Sequence, residues 1–331
     1  MAMATMTEDL ERAAAVLREA GDVAIACHVN PDADALGSSL GLAHHLVARG
    51  ANVVVGFPNH PLELPPWAAA LPVGDLVVPV EAFPTAPAVM VTCDCAAFDR
   101  LGVLGAAAEE AEELIWIDHH RSNDGRGTIR LVDPDASSTC EVVARLLDTI
   151  GGDISDETAV CLYAGLVTDT GRFQYEAATP ETLRLAARLR EHPFDHSHLS
   201  QVLYENNRSA YLHVLGVAMD RAELDAAAEL VWTYVLWSDL EQAGAESGDV
   251  DDLIDVLRAT RDADTAALVK QQRDGRFKVS VRSRGARDLS AVAAAFGGGG
   301  HRLAAGYTSE VGPAETIRRL RAAVMAPAPA S

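Results

Sequence analysis

The segment from His28 to Asp34 carries one histidine and two aspartates within seven residues, at His28, Asp32 and Asp34. Imidazole nitrogens and carboxylate oxygens are ligands of divalent cations. Pro31 stiffens the segment, which lowers the entropy lost when ligands are fixed. A structural role is equally open here, because Asp32 and Asp34 can form an Asx turn or cap a helix. Taken alone, the segment predicts either a metal-binding loop or a helix start.

More acids and histidines follow apolar runs further along the chain. They are Asp94, Asp118, His119, His120 and Asp169. Carboxylates gathered without a cation repel one another and raise each other's pKa, and a divalent cation removes that cost. Repetition of the pattern therefore favours metal binding over a series of separate helix caps.

The types of these ligands predict the metal and its chemistry. Carboxylates and imidazoles without paired thiolates favour Mn²⁺, with Mg²⁺, Co²⁺ or Fe²⁺ as alternatives. A closed structural zinc site uses more sulfur and fewer carboxylates. Two cations that share a carboxylate suit phosphoester hydrolysis, because they stabilise both the attacking and the leaving oxygen.

Alternating strands and helices are expected to position these ligands. Buried strands are predicted at 23–27, 52–57, 88–92 and 114–117, and helices at 35–48, 138–147, 155–167 and from 180 onward. Such alternation predicts a doubly wound α/β domain with a mainly parallel sheet. Ligands bind beyond the carboxyl ends of strands in these sheets, where the acids lie.

The pattern changes in the last third of the chain. A strand at 230–236, a hairpin around Asp274-Gly275, a helix at 289–296 and a helix at 314–324 predict a smaller α+β domain. The predicted organisation is a catalytic domain at 8–190, a helical connector at 191–224, a second domain at 225–325 and a disordered tail at 326–331.

Charge and composition limit the classes of binding partner that are compatible with this chain. The net charge of −21 argues against a broad grip on long nucleic acid. A small phosphorylated ligand stays compatible, because local cations act at short range. No apolar run approaches the ~18 residues of a membrane span. Residues 1–20 show an acidic amphipathic helix pattern without the basic and apolar regions of a signal peptide, so a secretory signal is not expected. Five scattered cysteines favour reduced thiols and a cytoplasmic location.

In chain order, these motifs resemble those of the DHH phosphoesterase superfamily. The matching segments are His28-x-Asn-Pro-Asp32-x-Asp34, Asp94, Asp118-His119-His120 and Thr168-Asp169-Thr170-Gly171. The run Gly298-Gly299-Gly300-His301, followed by Ala304-Ala305-Gly306, resembles the DHHA1 domain of the same superfamily. Size and arrangement are similar to the nanoRNase/pAp phosphatase subgroup, which includes enzymes of the actinobacterial type that degrade cyclic di-AMP and pApA.

This resemblance implies a role for each matching residue in the first domain. One metal would be held by His28, Asp32 and Asp94, and the other by Asp34, Asp94, His119 and Asp169. Asp94 would bridge the two metals. His120 would face the scissile phosphate as a hydrogen-bond donor, and Asp118 would orient the histidines. Which histidine of the pair ligates stays open.

Substrate recognition is expected in the second domain. Glycines let backbone N–H groups approach a phosphate or a base, although Gly297 alone is explained as a helix cap. Arg282 could clamp a terminal phosphate through its planar fork, or be a solvated strand residue. The expected substrate residues are Arg282, Gly298, Gly299, Gly300 and His301.

The implied function is two-metal hydrolysis of short oligoribonucleotides, of cyclic di-AMP or pApA to AMP, and of pAp to AMP and phosphate. A homodimer is expected as well, with no membrane or long nucleic acid as partner. Within the superfamily, the alternatives are a RecJ-type single-strand exonuclease, which is usually longer, and a family II pyrophosphatase, which has a different second domain. A nucleotide-sensing module without hydrolysis is the alternative from another class, and the complete ligand set argues against it.

Overall fold

A computed structural model describes residues 2–124 and 126–326, with the side chains of residues 2–5 and of His301 excepted. The chain divides into two units, Met1–Asn206 and Asn207–Ser331. This division falls within the stretch predicted as a helical connector, and the domain boundaries at 190 and 224 stay a prediction. Of the predicted disordered tail, residues 327–331 lie outside the described residues.

The first unit is built on a five-stranded parallel sheet of order β2-β1-β3-β4-β5. Its strands are β1 (Asp22–Cys27), β2 (Asn52–Gly56), β3 (Val89–Cys93), β4 (Glu113–Asp118) and β5 (Ile129–Val132). Four of them match predicted strands. The sequence analysis missed β5, because this short edge strand alternates buried and exposed residues and offers no apolar run.

Helices of the first unit pack on both faces of the sheet. They are α1 (Ala2–Glu19), α2 (Ala33–Ala48), α3 (Gly105–Glu110), α4 (Thr139–Ile150), α5 (Asp156–Asp169), α6 (Pro180–Leu189) and α7 (His196–Tyr204). Successive strand residues point to opposite faces, so Ile25 and Val91 join the core with α2, α4 and α5. Met90 and Trp116 join a second core with α3. The predicted doubly wound α/β architecture is confirmed.

Helix starts follow the sequence signals closely. Thr179 caps α6, with Pro180 at the first helical position. Ser138 caps α4 by accepting the backbone N–H of Glu141. The sequence pattern of Ser138 and Glu141 also predicts a capping box, in which the Glu141 carboxylate accepts from the backbone N–H of Ser138. That second half of the box is wrong, because the Glu141 carboxylate accepts from Ser137 instead.

Strand order reverses at β1. The chain leaves β1 for β2 on one side of the sheet and returns to β3 on the other side. Connections on either side of such a point leave a crevice at the carboxyl ends of the strands, where ligands bind in open α/β sheets. The site is therefore expected between the ends of β1 and β3.

The second unit has a six-stranded mixed sheet of order β10-β11-β9-β8-β7-β6. Its strands are β6 (Glu223–Asp225), β7 (Leu230–Val235), β8 (Thr265–Gln271), β9 (Phe277–Ser283), β10 (Gly299–His301) and β11 (Ala304–Ser309). Its helices are α8 (Ser209–Asp220), α9 (Trp237–Ala243), α10 (Leu253–Arg258), α11 (Leu289–Ala294) and α12 (Pro313–Met325). The predicted α+β class is confirmed. The connector was expected to be helical, and it contains two helices, α7 and α8, separated at residues 205–208.

Two further observations concern composition. All five cysteines lie within the described ranges, and each is buried and free of a disulfide. None of the helices that the structure describes is long and apolar enough to cross a membrane.

Candidate metal centre

All six predicted metal ligands meet at the carboxyl edge of the parallel sheet. Three of them, His28, Asp94 and His119, directly follow β1, β3 and β4. Asp32 caps the start of α2, Asp34 lies in the first turn of that helix, and Asp169 is the last residue of α5. Three of the donors thus come from helix ends rather than strand ends.

The donors form two groups that share Asp94. In the first group, Nε2 of His28 lies 3.5 Å from Oδ2 of Asp94 and 3.7 Å from Oδ2 of Asp32. Oδ1 of Asp94 faces the second group and lies 3.7 Å from Nε2 of His119. One carboxylate therefore offers an oxygen to each side.

His119 is the centre of the second group. Its Nε2 lies 3.3 Å from Oδ2 of Asp169 and 3.9 Å from Oδ2 of Asp34. The potential ligand atoms of His28, Asp32 and Asp94 lie within 4.8 Å of one another, and so do those of Asp34, His119 and Asp169. These separations fit donors arranged around a cation.

Most of the donors are withdrawn from solvent. His28, Asp34 and Asp94 are 4%, 2% and 2% exposed, respectively. Burial, followed by the charge of Asp94, raises the pKa of Asp34 to about 6. Asp94 shows the opposite effect, because the neighbouring histidines overcome burial and hold its pKa well below the usual range.

The histidines of the cluster compete for protons with any cation. Burial alone would lower the pKa of His28, but Asp32 and Asp94 outweigh it and raise that pKa to about 10. Burial likewise disfavours charged His119, but Asp169 and Asp94 raise its pKa to about 9. Without a cation, protons on the histidines offset the negative charge of the carboxylates. A bound cation would replace those protons.

Asp118 organises the second histidine of the pair. It is fully buried, and its Oδ1 lies 2.7 Å from Nδ1 of His120. Its Oδ2 accepts a hydrogen bond from Nδ2 of Asn123 at 2.6 Å. Nδ1 of His120 also lies 3.6 Å from Oδ1 of Asp94. Because Asp118 engages that nitrogen while Nε2 of His119 faces three other carboxylates, the geometry favours His119 as the ligand.

The start of α4 holds two of the acids, a contribution that the sequence analysis missed. The backbone N–H groups of Thr139 and Cys140 donate to the two oxygens of Asp34 at 2.7 and 2.9 Å. The Thr139 hydroxyl donates to Oδ1 of Asp94 at 2.8 Å. A helix start places positive partial charge there. The sequence signal for this helix start was the predicted cap at Ser138. That signal did not indicate that the helix start would lie beside Asp34 and Asp94.

Nearby sulfur does not compete for the cation. Cys27 and Cys93 are buried beside the cluster, and burial raises the pKa of both thiols, that of Cys93 to about 12. Neutral thiols are poor ligands. The candidate groups within the described ranges contain only carboxylates and imidazoles. This hard oxygen and nitrogen set fits two divalent cations.

The substrate residues expected in the second unit lie on neighbouring strands. Ala304 of β11 pairs with Arg282 of β9 on one side and with His301 of β10 on the other. The backbones of Arg282 and His301 are thus level across three strands, roughly 10 Å apart. The Arg282 side chain is partly exposed, with Nε 4.0 Å from Oδ1 of Asp255.

Different glycines of the run serve different purposes. A Cβ at Gly298 would overlap the carbonyl oxygen of Gly306, and one at Gly300 would overlap that of Ala304. Gly300 also has a φ of +136°. The space around Gly299 is open. Strand packing therefore requires Gly298 and Gly300, and Gly299 is the one with room for a ligand.

Comparisons with known proteins place the chain in a family. The family model described as DHH family, N-terminal domain, matches residues 22–166, and that of the DHHA1 domain matches residues 228–326. The chain is 34% identical over 289 residues to the bifunctional oligoribonuclease and PAP phosphatase NrnA of Thermus thermophilus, covering 87% of this chain and 84% of that protein. It is 29% identical over 287 residues to the Bacillus subtilis protein of the same name, with 84% and 86% covered.

One solved structure shares the fold over nearly the whole chain. It is the crystal structure of an exopolyphosphatase-related protein from Bacteroides fragilis, with a TM-score of 0.88, 24% identity and 96% of each chain covered. The parallel sheet and its rim of acids and histidines define a metal-dependent phosphoesterase. The chain belongs to the DHH family of phosphoesterases, in the branch that carries a DHHA1 domain.

Proposed function

We propose that this phosphoesterase hydrolyses short oligoribonucleotides, and pAp to AMP and phosphate, with two Mn²⁺ ions as cofactors. The observation that carries the proposal is the pair of ligand groups sharing Asp94. The names of the Thermus thermophilus and Bacillus subtilis relatives support the substrate class. Cyclic di-AMP and pApA belong to the same proposal, because they too offer adenosine and a phosphodiester.

The first metal would be held by His28, Asp32 and Asp94, and the second by Asp34, Asp94, His119 and Asp169. When bound, the metals supply positive charge to the phosphate oxygens and activate water for attack. The start of α4 fixes Asp34 and Asp94 before a substrate arrives. Because these side chains are already in place, they need not move during the reaction.

His120 is proposed to act on the phosphate rather than on a metal. Its Nδ1 is held by the buried carboxylate of Asp118, which fixes the ring orientation. The imidazole of His120 would donate a hydrogen bond to the phosphate or to the leaving oxygen. Asp118 acts through His120 and is a positioning residue.

The second unit is proposed to recognise the nucleotide. Arg282 would bind a phosphate through its guanidinium, whose planar fork matches two oxygens. The backbone at Gly299 would contact the ligand, because no neighbouring atom fills that space. His301 would complete the group, since its backbone is level with Arg282. A homodimer in the cytoplasm completes the proposal.

Product analysis tests the substrate class. Purified protein with Mn²⁺ is given equal concentrations of pApA, cyclic di-AMP, pAp, a longer RNA and a single-stranded DNA, and products are separated by chromatography. We expect rapid release of AMP from the small substrates, abolished by a chelator. Cleavage of long RNA or single-stranded DNA alone would support the RecJ-type alternative, and binding without products would support the sensing module.

A further inference from the structure

Asn30, in the loop between β1 and α2, has a left-handed backbone conformation with φ +52°. Asparagine adopts this region more readily than most residues other than glycine, and the neighbouring side chain of Asn59 holds it there by hydrogen bonds. Asn30 lies between His28 and Asp32, which are assigned to the same metal. The conformation of this residue therefore sets how those two ligands stand relative to each other.

Asn59 holds Asn30 from the loop that follows β2. Oδ1 of Asn59 accepts the backbone N–H of Asn30 at 2.8 Å, and Nδ2 of Asn59 donates to Oδ1 of Asn30 at 2.6 Å. Two hydrogen bonds with opposite directions fix both the position and the rotation of Asn30. A single bond would leave the rotation free.

The rest of the loop is anchored on its other sides. The backbone N–H of Val29 donates to the carbonyl of Arg100 at 3.0 Å. Oδ1 of Asp32 accepts from the first backbone N–H groups of α2, which leaves Oδ2 to face His28. Since main-chain and capping bonds hold both ends, the amide pair controls the turn between them.

We propose that Asn59 is a positioning residue for the metal held by His28, Asp32 and Asp94. It acts through Asn30, and the inference rests on the proposed metal centre. Apart from the shared Asp94 at the end of β3, the ligands of the second metal come from α2, α5 and the end of β4, whose backbones Asn59 does not hydrogen-bond within the described residues. Loss of Asn59 should therefore weaken one metal selectively.

The simpler interpretation is that the amide pair only joins two surface loops. In that case its loss would lower the melting temperature without changing either metal affinity. Metal binding and metal-free stability, measured on the same variant, separate the two interpretations.

The test compares Mn²⁺ binding to the wild-type protein and to Asn59→Ala. Binding is measured by calorimetric titration and by the electron paramagnetic resonance signal of the free Mn²⁺. We expect one of the two affinities to fall about tenfold, as is usual for the loss of a group that orients a ligand. The other should change less than about twofold. Asn52→Ala is the matched control, because Asn52 begins β2 at the opposite edge and donates to Asp22 at 2.9 Å. It should leave both affinities unchanged.

Each other outcome has a definite meaning. Two unchanged affinities in Asn59→Ala, or an equal loss of both, would overturn the inference. The metal-free melting temperature and circular dichroism of the variant identify a loss caused by unfolding, which also counts against a selective role. If the wild-type protein itself bound no Mn²⁺, the proposed function would fail first, and the two failures remain distinguishable.

Discussion

At the scale of single residues, the metal centre depends on which partners the two oxygens of each carboxylate face. Asp94 directs Oδ2 to His28 and Oδ1 to His119. Its backbone φ of +60° lies in the left-handed region, which among residues other than glycine is adopted mostly by asparagine, aspartate and histidine. Asp94 is therefore the residue whose loss should affect both metals.

Replacement of Asp94 by alanine should abolish turnover and weaken binding of both cations. The physical reason is that one side chain supplies both ligand groups. Mn²⁺ titration and product formation are the measurements, with Asp148→Ala as a control, because Asp148 pairs with Arg188 on the surface. Turnover near the wild-type rate in Asp94→Ala would contradict the assignment.

Thr139→Val is a milder residue-scale prediction. Valine keeps the shape of the side chain but removes the hydroxyl that donates to Oδ1 of Asp94 at 2.8 Å. We expect turnover at limiting Mn²⁺ to fall about tenfold and saturating Mn²⁺ to restore part of it. The control is Thr149→Val in the same helix, whose hydroxyl bonds only a helix carbonyl among the described residues. Equal effects of the two changes would argue against a role for Thr139.

At the scale of elements, ligands are held by helix starts and strand ends rather than by flexible loops. The start of α4 donates to Asp34, and the ends of β1 and β3 present His28 and Asp94. In the second unit, the glycine-rich run forms β10 and pairs with β11. In the first unit the metal ligands, and in the second unit the glycine-rich run, are thus held by regular secondary structure.

The glycine run gives the element-scale prediction. Gly298→Ala should destabilise the second unit by about 1–3 kcal/mol, the usual range for overpacking, because its Cβ would overlap a backbone carbonyl. Gly299→Ala should leave stability unchanged, since its surroundings are open, and should raise KM for pApA. Chemical denaturation and steady-state kinetics measure the two effects. A Gly299→Ala enzyme with wild-type KM would remove Gly299 from the proposed binding site.

At the scale of the whole molecule, the net charge of −21 repels a phosphate group. Attraction must therefore come from the bound metals and from a few cationic side chains. Metal binding should also be linked to protons. The pKa of His119 is raised to about 9 and that of His28 to about 10, so both rings hold protons at neutral pH. A cation must displace these protons to bind.

Mn²⁺ affinity should therefore rise with pH between about 6 and 8.5, with protons released on binding. The sign follows from the raised pKa values of the two ligand rings: low pH favours the protonated, metal-free cluster, and rising pH favours the cation. Titration calorimetry in buffers of different ionisation enthalpy counts the protons. Added Mn²⁺ should also raise the melting temperature, because it binds the folded chain. An affinity independent of pH would contradict the linkage.

The sequence by itself determined the fold class and the motif order. Continuous apolar runs such as 114–117 predict buried parallel strands, and the Asp274-Gly275 turn predicts the hairpin of β8 and β9. These signals are local, because strand burial and turn chemistry depend on residues near in sequence. The metal ligands were predicted for the same reason, since each sits in a short motif after a recognisable element.

Only the tertiary structure decided which groups hold those ligands. Thr139 meets Asp94 across 45 positions, and Asn59 meets Asn30 across 29. Such contacts depend on strand order and on the packing of α2 beside α4, and single hydroxyl or amide groups carry no periodic signal. The separate roles of Gly298 and Gly299 likewise depend on the distance to β11, which spacing along the chain does not encode.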